Sequence, residues 1–373
     1  MINDHQESFF TRDKNFYRTF FRLMLVVALQ NLVAYSVNML DNMMLGSYSQ
    51  NALSGAATVN QVFFIINQLA VAIGNALIVM SSQYWGKRDT RSIKKLTGIS
   101  LTFSLLAAAI VFGICAAFPE QLLKIFTTSS EIIEQGQIYL NILKWTFILF
   151  LISNLLISML RSVETVQISF IVSVVSLIVN GGMNYTLIFG HFGFPEMGIK
   201  GAAIGTLAAR SLEFFIVIFY VLKIDKKVRV FQGGLFRETF SAANRKLWTD
   251  FIKVSCPVIL SGMIWAVSVP MQTAILGHLS ADAIAANSVA TTFFQYLKVI
   301  VVAVSSASSV AIGKFIGQGN RSEVRAVGRT LSVIDISIGI VLAVLLFVLR
   351  KPLLSTYNLT DEATVLADHL MMI

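Results

Sequence analysis

Charged residues are scarce in this chain of 373 residues, where Asp, Glu, Lys and Arg together make up 13% of the sequence. An average soluble protein contains about 25% of these residues. Hydrophobic residues account for 55%, and long uncharged stretches follow one another along the chain. The shortage of charge therefore excludes an ordinary soluble domain and indicates a protein embedded in a lipid bilayer.

Cysteine and histidine are rare, and neither occurs in a pattern that predicts chemistry. Cys115 and Cys256 lie in apolar stretches, where a thiol usually acts as a small packing residue, so we expect no disulfide framework. The four histidines are scattered without the spacing of metal ligands. The sequence contains no glycine-rich loop that binds phosphate. We therefore predict no enzyme, no resident cofactor or metal, and no direct use of ATP.

Apolar runs long enough to cross a hydrocarbon core of about 30 Å, which takes roughly 20 helical residues, recur along the chain. They occupy residues 20–44, 55–80, 97–118, 139–160, 167–190, 200–222, 251–277, 284–312 and 327–349, and a tenth begins after Thr364. Alternate loops between them carry nearly all of the Lys and Arg, whose total of 29 exceeds the 20 Asp and Glu. This pattern predicts a cytoplasmic N-terminus and explains the basic charge without a nucleic-acid partner.

The chain is internally duplicated. The stretch from Phe21 to Met80 aligns without a gap to residues 231 positions later, so that LGSYSQNAL at 45–53 lies over LGHLSADAI at 276–284. Six predicted spans precede the second copy, and an even number of crossings makes the two copies parallel, related by an axis along the membrane normal. Such duplication is typical of transporters built from two bundles around a central site.

This repeat predicts an all-α polytopic membrane protein with two pseudo-symmetric six-helix lobes. Because the repeat partner of span 4 would begin near Leu370, we expect the second lobe to be truncated after about three helices. The predicted segments are a cytoplasmic arm at 1–19, an N-terminal lobe with spans 1 to 6 at 20–222, a cytoplasmic linker with an interfacial helix at 223–250, and a partial second lobe at 251–373.

Asp41, in the outer part of span 1, is the most informative charged residue within the predicted membrane. A charge at the bilayer centre costs about 2.5 to 3.5 kcal/mol, so an intramembrane acid is a functional candidate. At about 100° per residue, Asp41 shares a helical face with Gln30 and Asn38, with Tyr35 beside them. We expect this stripe to face a cavity, where Asp41 could exchange a proton or bind Na⁺ together with neutral oxygens. The alternative is an aspartate that only caps the helix.

Asn180 and Asn184 are four residues apart in span 5 and lie on one helical face. An Asn amide has an oxygen that can bind a cation and an NH₂ group that can donate hydrogen bonds. This suits a site whose polar groups need partners both with and without a bound cation. The two residues are therefore candidates for cation coupling. The alternative is hydrogen bonding between helices without transport chemistry.

Four further ionisable residues fall inside the predicted spans. Arg210 and Glu213, three residues apart in span 6, are expected to form a structural ion pair. Lys298 in span 8 and Asp335 in span 9 are candidates for an ionic site in the second lobe, and each could instead snorkel or pair with a residue in the missing spans of that lobe. The predicted lining of a substrate cavity consists of Gln30, Tyr35, Asn38, Gln61, Asn67, Asn154 and Gln272.

Five segments form an ordered set of motifs. They are DNMMLGSYSQNALSG at 41–55, QYWGKRD at 83–89, NYTLIFGHFGFPEMGIKGAAIGTLAAR at 184–210, GHLSADAIAA at 277–286 and GKFIGQGN at 313–320. In this order, and together with the internal repeat, they resemble the MATE family of multidrug and toxic compound extrusion transporters over essentially the whole chain. The resemblance implies twelve helices in two lobes around a V-shaped cleft, which export organic cations and other toxic compounds in exchange for Na⁺ or H⁺.

The resemblance also implies roles for individual residues. Asp41 and Asn180 fall on positions that family members use to bind a cation in the N-terminal lobe, and Asn184 falls on a third, where some members have Asp. Members that bind Na⁺ in the second lobe have a Glu eight residues past a Pro in span 7. Counted from Pro257, this chain has Trp265 there, so we expect that second site to be absent.

We therefore expect a secondary active efflux transporter that exports drugs or toxins in antiport with H⁺ or Na⁺. We expect a monomer in a bacterial cell membrane, with small molecules and the bilayer as its partners. A flippase for lipid-linked saccharides is the alternative, although Arg210 and Lys298 are too few for the large cationic groove that it would need. A membrane-embedded enzyme is the more distant alternative.

Overall fold

The computed structural model describes residues 9–232, 235, 239–240, 244–277, 281–319, 321–354 and 360–372, and helices dominate this part of the chain. The helices are α1 (Lys14–Tyr48), α2 (Gln50–Gly86), α3 (Thr90–Ala117), α4 (Pro119–Lys124), α5 (Ser130–Ser162), α6 (Gln167–Phe189), α7 (Ile199–Phe219), α8 (Arg245–Gly277), α9 (Ala281–Gln318), α10 (Arg321–Leu354) and α11 (Asp361–Met372). A short 3₁₀ turn at His191–Gly193 follows α6, and a π-helical turn at Tyr220–Ile224 extends α7.

Within the described residues, eight helices are long and apolar enough to cross a membrane, namely α1, α2, α3, α5, α6, α8, α9 and α10. Each of them covers one predicted span to within one residue. The sixth predicted span, 200–222, is also helical and is formed by α7 and its π-helical turn. Helix α11 covers the beginning of the tenth predicted span. The predicted all-α membrane fold is therefore confirmed.

Short polar side chains mark where several helices begin. The side chains of Asp13, Ser49 and Asp89 accept backbone N–H groups at the starts of α1, α2 and α3. These caps satisfy donors that have no partner within a helix. Beyond the caps the residues are mainly apolar, and a segment in lipid must satisfy its own backbone hydrogen bonds. The sequence therefore forms long helices rather than open strands.

The duplication is visible in the helix bounds. Helix α2 begins at Gln50 and α9 at Ala281, and α3 begins at Thr90 and α10 at Arg321, so both pairs start 231 residues apart. The described helices thus follow the predicted two-lobe layout, with α1 to α7 in the first lobe and α8 to α11 in the second.

Helices α2 and α5 form the centre of the first lobe, with α3 and α7 against α5, and α6 packed between α1 and α7. Toward one end of the bundle, Leu77, Leu96 and Leu156 are fully buried between α2, α3 and α5. Toward the other end, Val59 and Phe147 are fully buried between α2 and α5. Because lipid is as apolar as these side chains, close packing rather than water exclusion holds the helices together. This packing fixes α1, α6 and α7 around the candidate site described below.

The two lobes meet mainly through α9, which packs against α1 and α2, and through α8, which packs against α2. An apolar cluster that includes Phe16, Phe20, Ile78, Val310 and Leu331 joins α1, α2, α9 and α10. These residues lie near the start of α1, the end of α2, the end of α9 and the start of α10. The same end of the bundle carries the predicted basic loops, and we call it the basic end.

Two helices extend beyond the predicted segment boundaries. Helix α1 begins at Lys14, inside the predicted arm at 1–19, and α8 begins at Arg245, inside the predicted linker at 223–250. In both cases charged residues form the first helical turns before the apolar stretch, and hydropathy alone does not reveal such turns. The predicted interfacial helix of the linker lies partly outside the described residues.

Candidate functional site

The site is centred on Asp41, which lies near the outer end of α1 with its side chain directed into the first lobe. Asp41 is 7% exposed, and Asn180 and Asn184 of α6 are fully buried. The amide of Asn184 donates a hydrogen bond from Nδ2 to the carboxylate of Asp41. The same Nδ2 lies 3.4 Å from Oδ1 of Asn180. The packing of α1 on α6 thus brings all three predicted coupling residues together.

The amide oxygen of Asn184 stands out in this cluster because it is buried and has no hydrogen-bond partner among the described residues. Gly205 of α7 faces this oxygen, and a Cβ at that position would overlap it. A glycine is therefore needed for α7 to pass so close to the amide. A buried acceptor without a donor is uncommon. It leaves Asn184 able to accept a proton donor or to coordinate a cation.

Two further polar residues border the cluster, and the sequence analysis missed both. Thr206 of α7 accepts a hydrogen bond from Nδ2 of Asn180 at 3.4 Å. Tyr139 of α5 is 3% exposed, and its hydroxyl interacts with Thr206 and with the charge of Asp41. In the sequence, Tyr139 marked only the start of a predicted span. Thr206 is a single hydroxyl in an Ala- and Gly-rich stretch and gave no signal.

Arg210 and Glu213 form the predicted ion pair on α7, with Nη1 of Arg210 2.7 Å from Oε2 of Glu213. The guanidinium carbon of Arg210 also lies 5.0 Å from the ring centre of Phe150 and 6.0 Å from the ring centre of Phe63. It is close enough to act electrostatically on Asp41. Glu213 thus neutralises a cation that would otherwise stand unpaired beside the acidic site.

Replacing Glu213 by Gln is expected to lower the stability of the folded protein, because the guanidinium of Arg210 then loses its counter-charge. Removing one partner of a buried ion pair costs roughly 3 kcal/mol. The measurement is thermal unfolding of the purified protein in detergent. Glu120→Gln is the matched control, since the pair of Glu120 and Lys124 is 49% and 58% exposed and should contribute little. Equal effects of the two substitutions would contradict this assignment.

The residues predicted to line a substrate cavity are dispersed. Tyr35, Asn38, Gln61 and Gln272 are exposed, and Asn67 and Asn154 are partly buried. Gln30 accepts a hydrogen bond from Nη2 of Arg161 at 3.2 Å, far along α1 from Asp41. None of the seven lines the cavity of about 450 Å³ beside Asp335 or the cavity of about 630 Å³ beside Glu164. The predicted stripe on α1 is therefore divided between different neighbours.

The two ionisable residues predicted for the second lobe do not meet each other. The ammonium of Lys298, on α9, lies 4.5 Å from the ring centre of Trp265 on α8. Asp335, on α10, accepts a hydrogen bond from Ser308 at 3.4 Å and lines the cavity of about 450 Å³. The structure therefore offers two separate polar positions in this lobe rather than one ionic site.

Polar contacts across the lobes close the basic end. Nζ of Lys314 on α9 lies 2.6 Å from a carboxylate oxygen of Glu164, in the turn after α5. Arg161, in the last turn of α5, donates from Nη1 to the hydroxyl of Ser306 on α9 at 3.3 Å. Arg161 belongs to the predicted basic loops, yet its guanidinium lies between α1 and α9. Both contacts join the first lobe to the second.

Comparison with known proteins finds the same architecture. The MatE family profile matches residues 27–186 and 257–373. The probable multidrug resistance protein YoeA of Bacillus subtilis is 24% identical over 359 residues, covering 94% of this chain and 76% of that protein. The probable multidrug resistance protein NorM of Thermotoga maritima is 24% identical over 332 residues, covering 88% and 69%. A crystal structure of MATE in the bent conformation superimposes with a TM-score of 0.84 at 17% identity, covering 96% and 79%.

Proposed function

This chain belongs to the MATE family of multidrug efflux transporters, and we propose that it exports amphipathic organic compounds in exchange for a cation bound at Asp41. We propose further that this cation is H⁺. The observation that carries the proposal is the buried Asp41 carboxylate, held by the amide of Asn184, whose own oxygen has no partner in the part of the chain that the structure describes.

The chemistry of this cluster supports reversible neutralisation of Asp41. A buried carboxylate is stable only when it is paired, hydrogen-bonded or neutralised. When Asp41 is ionised, Nδ2 of Asn184 donates to it. When Asp41 is protonated, its own O–H can donate to Oδ1 of Asn184 after the amide rotates. The same two side chains thus satisfy each other in both states, as an exchange cycle requires.

One feature favours H⁺ over Na⁺. Among the described residues, Asp41 is the one carboxylate that is hydrogen-bonded to the asparagines, because residue 184 is an amide rather than a second acid. A proton needs only one carboxylate, whereas Na⁺ needs several oxygens. Oxygens of Asn180, Asn184 and Thr206 would be available to Na⁺, which makes it the competing ion.

Transport requires the two lobes to open alternately toward each side of the membrane. The contacts of Lys314 with Glu164 and of Arg161 with Ser306 support a state that is closed at the basic end. The positive-inside rule would make the basic end cytoplasmic. For a bacterial inner membrane, this state would release substrate outward, and protonation of Asp41 from that side would start the return.

The flippase alternative gains no support from these contacts. A lipid-linked saccharide carries phosphate, and its groove needs several free cations. Arg210 is neutralised by Glu213, and Lys298 alone does not form such a groove. We therefore retain drug efflux as the proposed function.

The decisive test uses proteoliposomes containing the purified protein and ethidium, whose positive charge does not depend on pH. Vesicles with an acidic lumen are expected to accumulate ethidium at equal Na⁺ on both sides, because protons leaving the lumen drive the exchange. A Na⁺ gradient at equal pH should drive no uptake. Accumulation is followed by fluorescence.

Protein-free vesicles and a protonophore provide the controls for this experiment. Uptake driven by Na⁺ without a pH gradient would overturn the choice of H⁺ while leaving antiport in place. A lack of uptake under every gradient would overturn the proposed function itself.

A further inference from the structure

Lys298 is a cation within a membrane helix, and the described part of the chain places no counter-charge beside it. Its ammonium lies 4.5 Å from the ring centre of Trp265, and the described residues give it no carboxylate or hydrogen-bond acceptor. Between residues 251 and 318 the only acidic residue is Asp282. Asp282 is sixteen positions before Lys298 on the same helix, about 24 Å away at the rise of an α-helix.

Several other cations in the same bundle are paired with carboxylates, whereas Arg161 is held by neutral groups. Arg210 is paired with Glu213, Lys314 with Glu164 and Arg350 with Asp368. An unpaired charge inside a membrane is costly and is kept where it lines a pathway or binds a ligand. Stacking on an indole offsets only part of this cost. Lys298 is therefore available to bind an anionic group.

The pair of Lys298 and Trp265 lies close to where the two lobes meet. Two positions before Lys298, the hydroxyl of Tyr296 lies 3.9 Å from Sδ of Met39, and Met39 is two residues before Asp41. Three positions before Trp265, Gly262 packs against Ala72 of α2. The indole of Trp265 is 42% exposed. The pair therefore lies at a depth similar to that of Asp41, on the two helices of the second lobe that contact the first.

The chemistry of the two side chains defines the ligand that fits them. An ammonium attracts a carboxylate and repels an organic cation. The exposed face of an indole accepts a flat aromatic ring. A ligand with a carboxylate on an aromatic scaffold can use both groups at once, and a cationic amine elsewhere on it would be directed away from Lys298.

We propose that Lys298 and Trp265 form a subsite for the carboxylate of zwitterionic aromatic compounds. This inference rests on the proposed efflux function and specifies its substrates. A carboxylate on the aromatic ring of a substrate strengthens binding, whereas the family resemblance implies mainly organic cations as substrates.

The test compares a rhodamine that carries a free carboxylate with its methyl ester, in which a methyl group removes that negative charge. Binding of each dye to the purified full chain in detergent is measured by fluorescence anisotropy. Wild type should bind the free acid more tightly than the ester. Lys298→Gln should weaken binding of the free acid about tenfold, the effect of losing one charge-assisted hydrogen bond, and change ester binding less than about twofold. Lys298→Arg should retain the preference, and Trp265→Leu should weaken both dyes.

Lys144→Gln is the matched control, because Lys144 also lies on a membrane helix with its ammonium 5.9 Å from the ring centre of Phe112. It should change neither affinity. An unchanged acid-to-ester ratio in Lys298→Gln, or an equal loss of both dyes, would overturn the proposal. Since binding is measured without an ion gradient, this outcome is independent of whether Asp41 exchanges H⁺.

Discussion

Cells that express the Asp41→Asn variant are expected to export no more substrate than cells without the transporter. Asn has nearly the same shape as Asp and can still bond to Asn184, so the fold should be retained. It cannot gain or lose a proton, and its amide has little affinity for Na⁺. Because the charge at this position can no longer change, the export of substrate is no longer coupled to the entry of an ion. The measurement is efflux of preloaded ethidium from energised cells, normalised to the amount of protein in the membrane.

Asp335→Asn is the matched control for this experiment. Asp335 is also a carboxylate on a membrane helix, but it bonds to Ser308 of α9 rather than to the asparagines of α6. The variant is expected to retain efflux. Loss of efflux in Asp335→Asn together with normal efflux in Asp41→Asn would move the coupling site to the second lobe. Normal efflux in both variants would exclude a carboxylate at either position as the coupling group.

The parts of this site that sequence could predict are those that depend on helical periodicity and resemblance. Asn180 and Asn184 are one turn apart and therefore share a face, and both are buried next to Asp41. Thr206 could not be predicted in the same way. It reaches the cluster only because α7 crosses α6 closely at Gly205, and a single sequence does not reveal where two helices cross.

The predicted polar stripe on α1 was less informative for a related reason. Gln30 and Asp41 lie on one face of a helix of 35 residues, about 50 Å long. A helix of this length contacts different neighbours at different depths. Near Gln30 it faces Arg161 of α5, and near Asp41 it faces α6. A shared face in sequence therefore did not mean a shared cavity in the fold.

Gly86 and Gly317 are 231 residues apart and are therefore repeat partners, and in the structure they touch across the two lobes. A Cβ at Gly86 would overlap the carbonyl oxygen of Lys314, and a Cβ at Gly317 would overlap that of Gln83. Gln83 and Lys314 are themselves repeat partners, 231 residues apart. The ends of α2 and α9 thus cross about the pseudo-two-fold axis. Their backbones meet there because neither glycine carries a side chain.

Replacing Gly317 by Ala is expected to open the basic end, because the added methyl group collides with backbone rather than with a flexible side chain. Overpacking of this kind costs about 1 to 3 kcal/mol, enough to shift a two-state equilibrium by about 5- to 150-fold. The state closed at the basic end should lose population, and efflux should fall. Gly86→Ala should act in the same way, since the contact is symmetric.

The opening can be measured through a cysteine at Val310, which is fully buried between the lobes. In a background with Cys256→Ser, Val310→Cys should react slowly with a maleimide, and adding Gly317→Ala should speed the reaction by about tenfold, within the range expected above. Gly328→Ala is the matched control, because no atom of the described residues lies within 4 Å of a Cβ at that position. If Gly317→Ala leaves both labelling and efflux unchanged, the two lobes do not need this close crossing to seal the basic end, and the polar contacts of Arg161 and Lys314 must be sufficient.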